Sequence, residues 1–410
     1  MIFLELINVF SALIINIVES VNHLRMHLSP ASRIFASSFL AAVLLFIGPV
    51  FAQNTKGQIE SDKFWDEFSK GLEWLPTSKA VTEAPVASQL EIADDSLSSS
   101  MTTLIDGAFD PDVHRIVIVA HKRKIVHRKY NERRVDEKSR PSSASMAKSL
   151  TALTVGKALC SGAIKNLDDE AGAYSARLKG TSWGNAKIRH ILAMASGSNN
   201  PINTPYGSPT TEVQAETLDK SYSGTMTYEF VSLMKKADQK YSESGKQGLY
   251  NNLDTIALAL LVEDATGEKF LNFFQREIWH ASGASQRGTW SYNSHGQVAA
   301  FSGFTAHPYD WIRVGIYVLE ERTKDTCFGD FLKEATKTQS RVKLPNGTTP
   351  YGFQIWVGCG GTDTFCFVGH GGQRVVMSPS TGVVMYMHTT SVSAGLPLLA
   401  AYKTIISRYK

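Results

Sequence analysis

β-rich runs stand on both sides of a long helical region, and this order constrains the fold of the chain more than any other feature. Residues 114–120 and 125–130 alternate apolar with polar side chains around a basic turn, which predicts a β-hairpin. Because strands and helices do not alternate regularly, the pattern predicts an α+β fold and not a repeating βαβ one. We expect one sheet assembled from both chain ends, with an inserted helical lobe at about 150–290. Four β-rich runs stand near the C-terminal end, at 353–357, 365–368, 374–377 and 383–388.

Apolar residues at helical spacing predict the helices, and Gly-, Pro- and Ser-rich loops separate them. The longest of these loops covers 199–224. An additional amphipathic helix is expected at 64–74, in a polar lead-in to the main domain. The other predicted helices cover 145–160, 188–194, 253–265, 270–279, 309–321 and 396–409.

The first 52 residues differ in composition from the rest of the chain. An apolar run at 34–51 follows Arg25 and Arg33 and is followed by the small residue Ala52 and the polar Gln53, an order typical of a secretory signal peptide. Met26 is a better start for such a signal than Met1. The alternative is a retained membrane anchor, because 18 apolar residues can just span a bilayer.

The predicted domains follow from this boundary. We expect a leader at 1–52, a lead-in at 53–105 and a catalytic domain at 106–410. The length of 410 residues permits two ordinary domains or one large unit. Removing the leader leaves 410 − 52 = 358 residues, which favours a single two-lobed unit. Because the leader is interpreted as an export signal, we expect this unit in the periplasm or outside the cell.

Composition excludes several classes of function. With 43% hydrophobic residues the chain is not disordered, and a net charge of +4 gives no reason to expect nucleic acid or an anionic membrane surface as partner. The cysteines lack C-x-x-C spacing and H-E-x-x-H is absent, so we expect no metal and no cofactor. In an exported protein Cys359 and Cys366 can staple a hairpin, whereas Cys160, in an apolar helical stretch, is interpreted as a free core thiol.

An S-x-x-K motif places a lysine one helical turn from a serine, so that the amine can take the hydroxyl proton. Context separates the four occurrences, because only Ser145 starts an apolar helix, at the positive end of its dipole. Burial there favours a neutral, basic lysine. The four pairs are Ser145/Lys148, Ser232/Lys235, Ser340/Lys343 and Ser407/Lys410.

A second serine motif, at 180–184, fits the G-x-S-x-G nucleophile elbow around Ser182. That chemistry needs a strand running into a sharp turn and then a helix. The preceding residues 174–179 are short and polar, which is a poor central strand. We therefore interpret these glycines as loop residues.

Two further motifs carry groups that an acyl-transfer enzyme needs. Tyr250 and Asn252 form the only Y-x-N in the chain, and a phenol beside a lysine can relay a proton. Residues 369–373 (GHGGQ) lie between two β-rich runs, where a backbone N–H can serve as an oxyanion donor. Taken singly, each also fits a structural role: a buried tyrosine before an Asn cap, and a glycine-rich turn.

Together and in this order, the motifs resemble those of the serine β-lactamase and penicillin-binding-protein superfamily. The resemblance is greatest to its class C-related branch, which includes carboxylesterases, amidases and 6-aminohexanoate-dimer hydrolases. It covers roughly 113–406 and implies a β-lactamase/transpeptidase-like fold, in which both chain ends form one antiparallel sheet with flanking helices. The matching stretches are SASMAKSL at 143–150, RHILAMASG at 189–197, LYNN at 249–252 and GHGGQ at 369–373.

The resemblance implies a role for each motif residue. Ser145 would be the acylated nucleophile and Lys148 its proton acceptor, while Tyr250 would be the general base and leaving-group acid. Asn252 would orient the substrate, and the N–H groups of Ser145 and Gln373 would form the oxyanion hole.

One departure from the family pattern affects the expected substrate. True β-lactamases of this superfamily carry K-T-G or K-S-G where this chain has His370, Gly371 and Gly372. Histidine is a weaker, titratable cation, with an ordinary pKa of about 6.5. We therefore expect an exported serine hydrolase that cleaves a small ester or amide. The alternatives are a β-lactamase or D-Ala-type peptidase, and a non-catalytic binding protein on the same fold.

Overall fold

A computed structural model describes residues 77–93, 97–199, 229–236, 238–344, 347–390 and 393–409. The predicted leader, the helix expected at 64–74 and all but the first residue of the 199–224 loop lie outside these ranges. Within them, each helix is too short or not apolar enough to span a bilayer.

The strands and helices are numbered in chain order. The strands are β1 (Thr77–Val81), β2 (Glu91–Ile92), β3 (His114–His121), β4 (Lys124–Tyr130), β5 (Gly248–Leu249), β6 (Gly288–Tyr292), β7 (Phe304–Thr305), β8 (Ser340–Leu344), β9 (Gly347–Tyr351), β10 (Trp356–Val357), β11 (Phe365–Val368), β12 (Arg374–Ser378) and β13 (Val383–Thr389). The helices are α1 (Ser99–Ala108), α2 (Met146–Cys160), α3 (Ile188–Leu192), α4 (Phe230–Lys236), α5 (Asn252–Thr266), α6 (Phe270–Phe274), α7 (Pro308–Arg322), α8 (Cys327–Ala335) and α9 (Leu396–Arg408). A 3₁₀ turn covers Ala171–Ala173, and a π-helix at Gln275–His280 continues α6.

Ten strands form one sheet in the order β2-β4-β3-β13-β12-β11-β10-β9-β8-β5. Strand β13, from the C-terminal end, pairs antiparallel with β3 and places Met385 opposite Val119. Among the strands described for this sheet, only the edge strands β2 and β5 run parallel to their neighbours. The predicted α+β fold, with a largely antiparallel sheet closed by both chain ends, is confirmed. Strands β1, β6 and β7 form a separate three-stranded sheet.

Both faces of the large sheet are covered, as β3 illustrates. Ile116 and Ile118 face a large apolar cluster that includes α2, α5 and α7, whereas Val117 and Val119 face a smaller one beneath α1 and α9. Because successive side chains of a strand point to opposite faces, the whole run is apolar and buried. Helix α2 lies within the large cluster, with 12 of its 15 residues buried.

Several elements escaped the sequence patterns. The predicted strand at 353–357 is β10 alone, because Gln354 takes a left-handed φ of 54° and bends the chain before it. The region 327–351 contains α8, β8 and β9, which were not predicted. The predicted helix at 270–279 changes from α to π geometry at Gln275.

The two disulfides correct the prediction for Cys160 and agree with the one for Cys359 and Cys366. Cys160, at the end of α2, is bonded to Cys327 at the start of α8, so its interpretation as a free thiol is wrong. The partners are 167 residues apart in sequence, and only the packing of the two helices brings them together. Cys359 and Cys366 are bonded across the turn that joins β10 to β11.

Candidate active site

The first turn of α2 brings Ser145 and Lys148 into direct contact. Ser145 immediately precedes the helix, and Lys148 Nζ donates a hydrogen bond to its Oγ at 3.0 Å. The amine also donates to the carbonyl of Phe301, at 2.8 Å. Lys148 is 1% exposed, and this burial lowers the pKa of its amine well below the ordinary value. The arrangement therefore favours a neutral amine beside a serine hydroxyl.

The turn before α2 is held in an unusual conformation. Ala144 has a φ of 43°, in the left-handed region, and the N–H of Ser143 donates to the carbonyl of Phe304 at 2.7 Å. Gly369 packs against this turn, since a Cβ there would lie 2.4 Å from the carbonyl oxygen of Ser143. Only glycine fits such an approach, so Gly369 allows the β11–β12 turn to lie beside Ser145.

Tyr250 lies against the same lysine. Lys148 Nζ is 4.9 Å from the centroid of the Tyr250 ring. Trp356 stacks on that ring with centroids 5.6 Å apart, and the edge of Tyr351 meets it at 6.2 Å. Tyr250 is 8% exposed, so its ring is fixed by packing. The structure thus brings Ser145, Lys148 and Tyr250 together from α2 and the start of α5.

The segment 194–199 cradles the Tyr250 motif. The carbonyl of Met194 accepts from the N–H of Leu249 at 2.8 Å, and the Asn251 side chain donates to the carbonyls of Ser198 and Asn199. Met194 itself has a φ of 54°. This contact gives a physical reason for the family-like text at 189–197, for which the sequence suggested no role.

The two asparagines after Tyr250 divide their tasks. The Asn251 side chain caps α5 by accepting from the N–H of Leu253 at 2.9 Å. The buried side chain of Asn252 bonds to none of the described residues. The asparagine that caps the helix is therefore Asn251. The side-chain amide of Asn252 is left available for another partner.

The turn at 369–373 reverses the chain between β11 and β12. Gly371 and Gly372 have φ values of 86° and 91°, a conformation that requires glycine. Thr389 Oγ1 donates to the carbonyl of Gly371 at 2.7 Å and anchors the turn to β13. Solvent reaches the His370 side chain at the turn, but the protein around it still desolvates the ring enough to lower the pKa of its imidazole. Gln373, immediately before β12, is fully buried.

The G-x-S-x-G motif has a different environment. Ser182 Oγ donates to the carboxylate of Asp238 and lies 2.8 Å from Ser198 Oγ, with which it shares a second hydrogen bond. No strand precedes it and no helix begins at it among the described residues, so the requirement of a nucleophile elbow is not met. Its neighbour Trp183 is buried and donates from Nε1 to Asp254 at 2.8 Å. The motif serves packing.

Sequence reasoning missed Gln354, which joins the helices that carry the site. Its side chain accepts from Thr255 Oγ1 of α5 at 2.9 Å and donates to the carbonyl of Ile191 in α3 at 3.2 Å. Its carbonyl accepts from Ser149 Oγ of α2 at 2.6 Å. Gln354 is 1% exposed. A polar residue within the apolar run 353–357 was the only signal in the sequence.

Asp254 was also missed. It is fully buried one turn after Tyr250 and accepts hydrogen bonds from Trp183 and from Ser196 Oγ, the latter at 2.7 Å. Burial raises the pKa of this carboxyl to about 7. Sequence pattern could not separate it from an ordinary first-turn helix acid.

The fold and the serine–lysine pair at the start of α2 are typical of serine hydrolases of the β-lactamase fold. The family model described as Beta-lactamase matches residues 106–404, most of the sequence. The chain therefore belongs to this family, whose members are serine hydrolases, and the predicted resemblance is confirmed. A comparison with curated proteins finds no match.

Solved structures show the same fold at low sequence identity. A putative 6-aminohexanoate-dimer hydrolase from Bacillus anthracis superposes with a TM-score of 0.67 at 19% identity, over 85% of this chain and 94% of that one. EstCE1, described as a hydrolase with promiscuous acyltransferase activity, gives 0.57 at 13%, over 74% and 98%. A class C β-lactamase mutant gives 0.54 at 14%, over 77% and 100%.

Proposed function

We propose that this protein is an exported serine hydrolase that cleaves a small ester or linear amide through an acyl-enzyme on Ser145. The contact between Lys148 Nζ and Ser145 Oγ, at 3.0 Å inside a buried site, carries the proposal. A buried neutral amine can accept the hydroxyl proton as the serine oxygen attacks the substrate carbonyl.

The remaining steps follow from the neighbouring groups. The N–H groups of Ser145 and Gln373 stabilise the oxyanion, and losing one such donor typically costs about 3 kcal/mol in the transition state. As the tetrahedral intermediate collapses, Tyr250 protonates the departing alcohol or amine. Water then attacks the acyl-enzyme and gives a proton to Tyr250, while Ser145 regains its proton from Lys148. Asn252 orients the substrate.

The residue at the position of the family's K-T-G lysine supports an uncharged substrate. A β-lactam carries a carboxylate, which a permanent cation would hold. In the sequence pattern His370 takes the position of that cation, and desolvation lowers the pKa of its imidazole, which disfavours the charged form. This favours esters and linear amides over β-lactams and D-Ala peptides.

Export is part of the proposal. All four cysteines are paired in two disulfides, a state that persists in oxidising compartments. This pairing supports the signal-peptide interpretation of residues 34–51. N-terminal sequencing of the secreted protein would test it, with a start near Gln53 expected and a start well before Gln53 contradicting it.

The test of the chemistry is active-site labelling combined with a substrate panel. We expect a fluorophosphonate probe to label Ser145 in the wild type, and short-chain p-nitrophenyl esters to be turned over. Ser145→Ala should lose both. Efficient turnover of a chromogenic cephalosporin would favour the β-lactamase alternative, and absence of labelling and turnover would favour the binding protein.

A further inference from the structure

A small apolar cluster adjoins the proposed general base. Its buried members are Met194, Tyr250, Val342 and Tyr351, and its partly exposed members are Leu344 and Trp356. It is separate from the two larger clusters that form the core. An apolar cluster that contains a site residue and also reaches solvent can contact a ligand as well as stabilise the fold.

Trp356 is the largest exposed part of this cluster. Its ring stacks on Tyr250 at an interplanar angle of 28°, and Tyr351 meets it edge-on with centroids 4.8 Å apart. Because Trp356 is only half-buried, the stack of rings ends at a surface that solvent reaches. Aromatic side chains give large contact area at low cost in conformational entropy.

The backbone around Trp356 is fixed on both sides. It pairs with Cys366 of β11, and Cys366 is bonded to Cys359. Two residues before it, Gln354 is hydrogen-bonded to three helices. Trp356 is therefore preorganised, and a ligand that packs against it does not need to order it first.

The proposed role of Tyr250 indicates which part of a substrate would lie near this cluster. In the proposed mechanism Tyr250 protonates the departing oxygen, so the departing group must lie beside Tyr250 when the bond breaks. The group attached to that oxygen then extends past the Tyr250 ring. Trp356 stacks on that ring, Leu344 packs against the same cluster, and both side chains are partly exposed.

We propose that Trp356 and Leu344 line a subsite for an apolar, preferably planar, leaving group, so that the protein prefers esters of aromatic or bulky alcohols. This inference rests on the proposed function. It predicts selectivity for the alcohol portion of an ester and none for the acyl portion from these two residues.

The experiment compares two pairs of esters in the wild type and in variants. Methyl acetate and benzyl acetate differ in alcohol size while their alcohols have closely similar acidity. Trp356→Ala should lower the benzyl-to-methyl ratio of kcat/KM by about tenfold or more, the range expected for losing a large apolar contact. Trp356→Phe should retain most of the ratio. Leu396→Ala, an exposed apolar residue on α9, serves as the matched control and should leave it unchanged.

A second pair, p-nitrophenyl acetate and hexanoate, varies only the acyl group. Its kcat/KM ratio should be the same in the wild type and Trp356→Ala. Circular dichroism and the rate of fluorophosphonate labelling at Ser145 verify that each variant is folded.

The outcomes separate the two proposals. If the wild type cleaves both acetates but the benzyl-to-methyl ratio does not respond to Trp356→Ala, or if only the acyl ratio responds, the subsite is wrong and the hydrolase stands. If the wild type cleaves no ester and Ser145 takes no label, the proposed function falls and the subsite with it.

Discussion

Ser145 and Ser182 both occur in motifs that hydrolases use for their nucleophile, yet their surroundings differ. Ser145 precedes a buried helix and contacts an amine whose pKa burial has lowered. Ser182 lies in a turn and donates to Asp238, a carboxylate with no histidine between them. The comparison shows that a serine motif can supply a nucleophile only where the fold places a buried, neutral base beside the hydroxyl.

The largest expected difference is between alanine substitutions of the two serines. Ser145→Ala should lower kcat/KM for p-nitrophenyl acetate by at least about 10³-fold, because it removes the nucleophile. Ser182→Ala should change it by less than about twofold. Steady-state kinetics on both purified variants measures this difference. A large loss of kcat/KM in Ser182→Ala together with a small one in Ser145→Ala would contradict the prediction.

Replacing the base should come next. Lys148→Met keeps the apolar stem and should lower kcat/KM by about 10²- to 10⁴-fold, the usual range for general base catalysis. Because only the neutral amine accepts a proton, the wild-type rate should rise with pH along a limb well below the ordinary lysine pKa of about 10.4. A pH–rate profile checks this, and activity that appears only near the ordinary value would mean that the site does not perturb the lysine.

The support beneath Ser145 can be tested at Gln354. Gln354→Ala leaves the Thr255 hydroxyl and the Ile191 carbonyl without their bonds, and should lower the free energy of unfolding by about 3 kcal/mol. The matched control is Gln339→Ala, half-buried with one side-chain bond to the carbonyl of Glu334, for which we expect about 1 kcal/mol. Urea unfolding compares them, and equal losses would contradict the joining role of Gln354.

The structural role of the region around Ser182 can be tested at Asp254, which accepts a hydrogen bond from Trp183. Its pKa is raised to about 7, so its contribution to stability is present below the ordinary carboxyl pKa of about 3.9 and is lost as pH rises through 7. Asp254→Asn should remove that pH dependence, on the order of 2 kcal/mol between pH 4.5 and 7.5. Urea unfolding at the two pH values measures the change in the free energy of unfolding. An identical change in wild type and variant would show that the carboxyl does not titrate in this range.

Much of the fold was accessible from sequence because its signals are local. The hairpin of β3 and β4, the helix after Ser145 and the strands β11 to β13 each follow from periodicity over a few residues. The strands β5, β7 and β10 have two residues each, too few for any period. Chain bending at Gln354 depends on its bonds to three helices, which no local pattern records.

The same division holds for the candidate site. Its motifs were found in the sequence because the family resemblance links four short texts in one order. The resemblance gave no reason for the segment 194–199 to matter, and the structure supplies one in its bonds to residues 249–251. Cys160 was misjudged because its partner Cys327 lies 167 residues away.

The sequence by itself determined the fold class, the serine that begins an apolar helix and the lysine one turn later, since spacing along a helix is a local property. Only the tertiary structure decided that this lysine is buried, that Tyr250 and Trp356 stack beside it and that Ser182 faces a carboxylate. These are matters of burial and of contacts between distant segments, and they set the charge state and the geometry on which the chemistry depends.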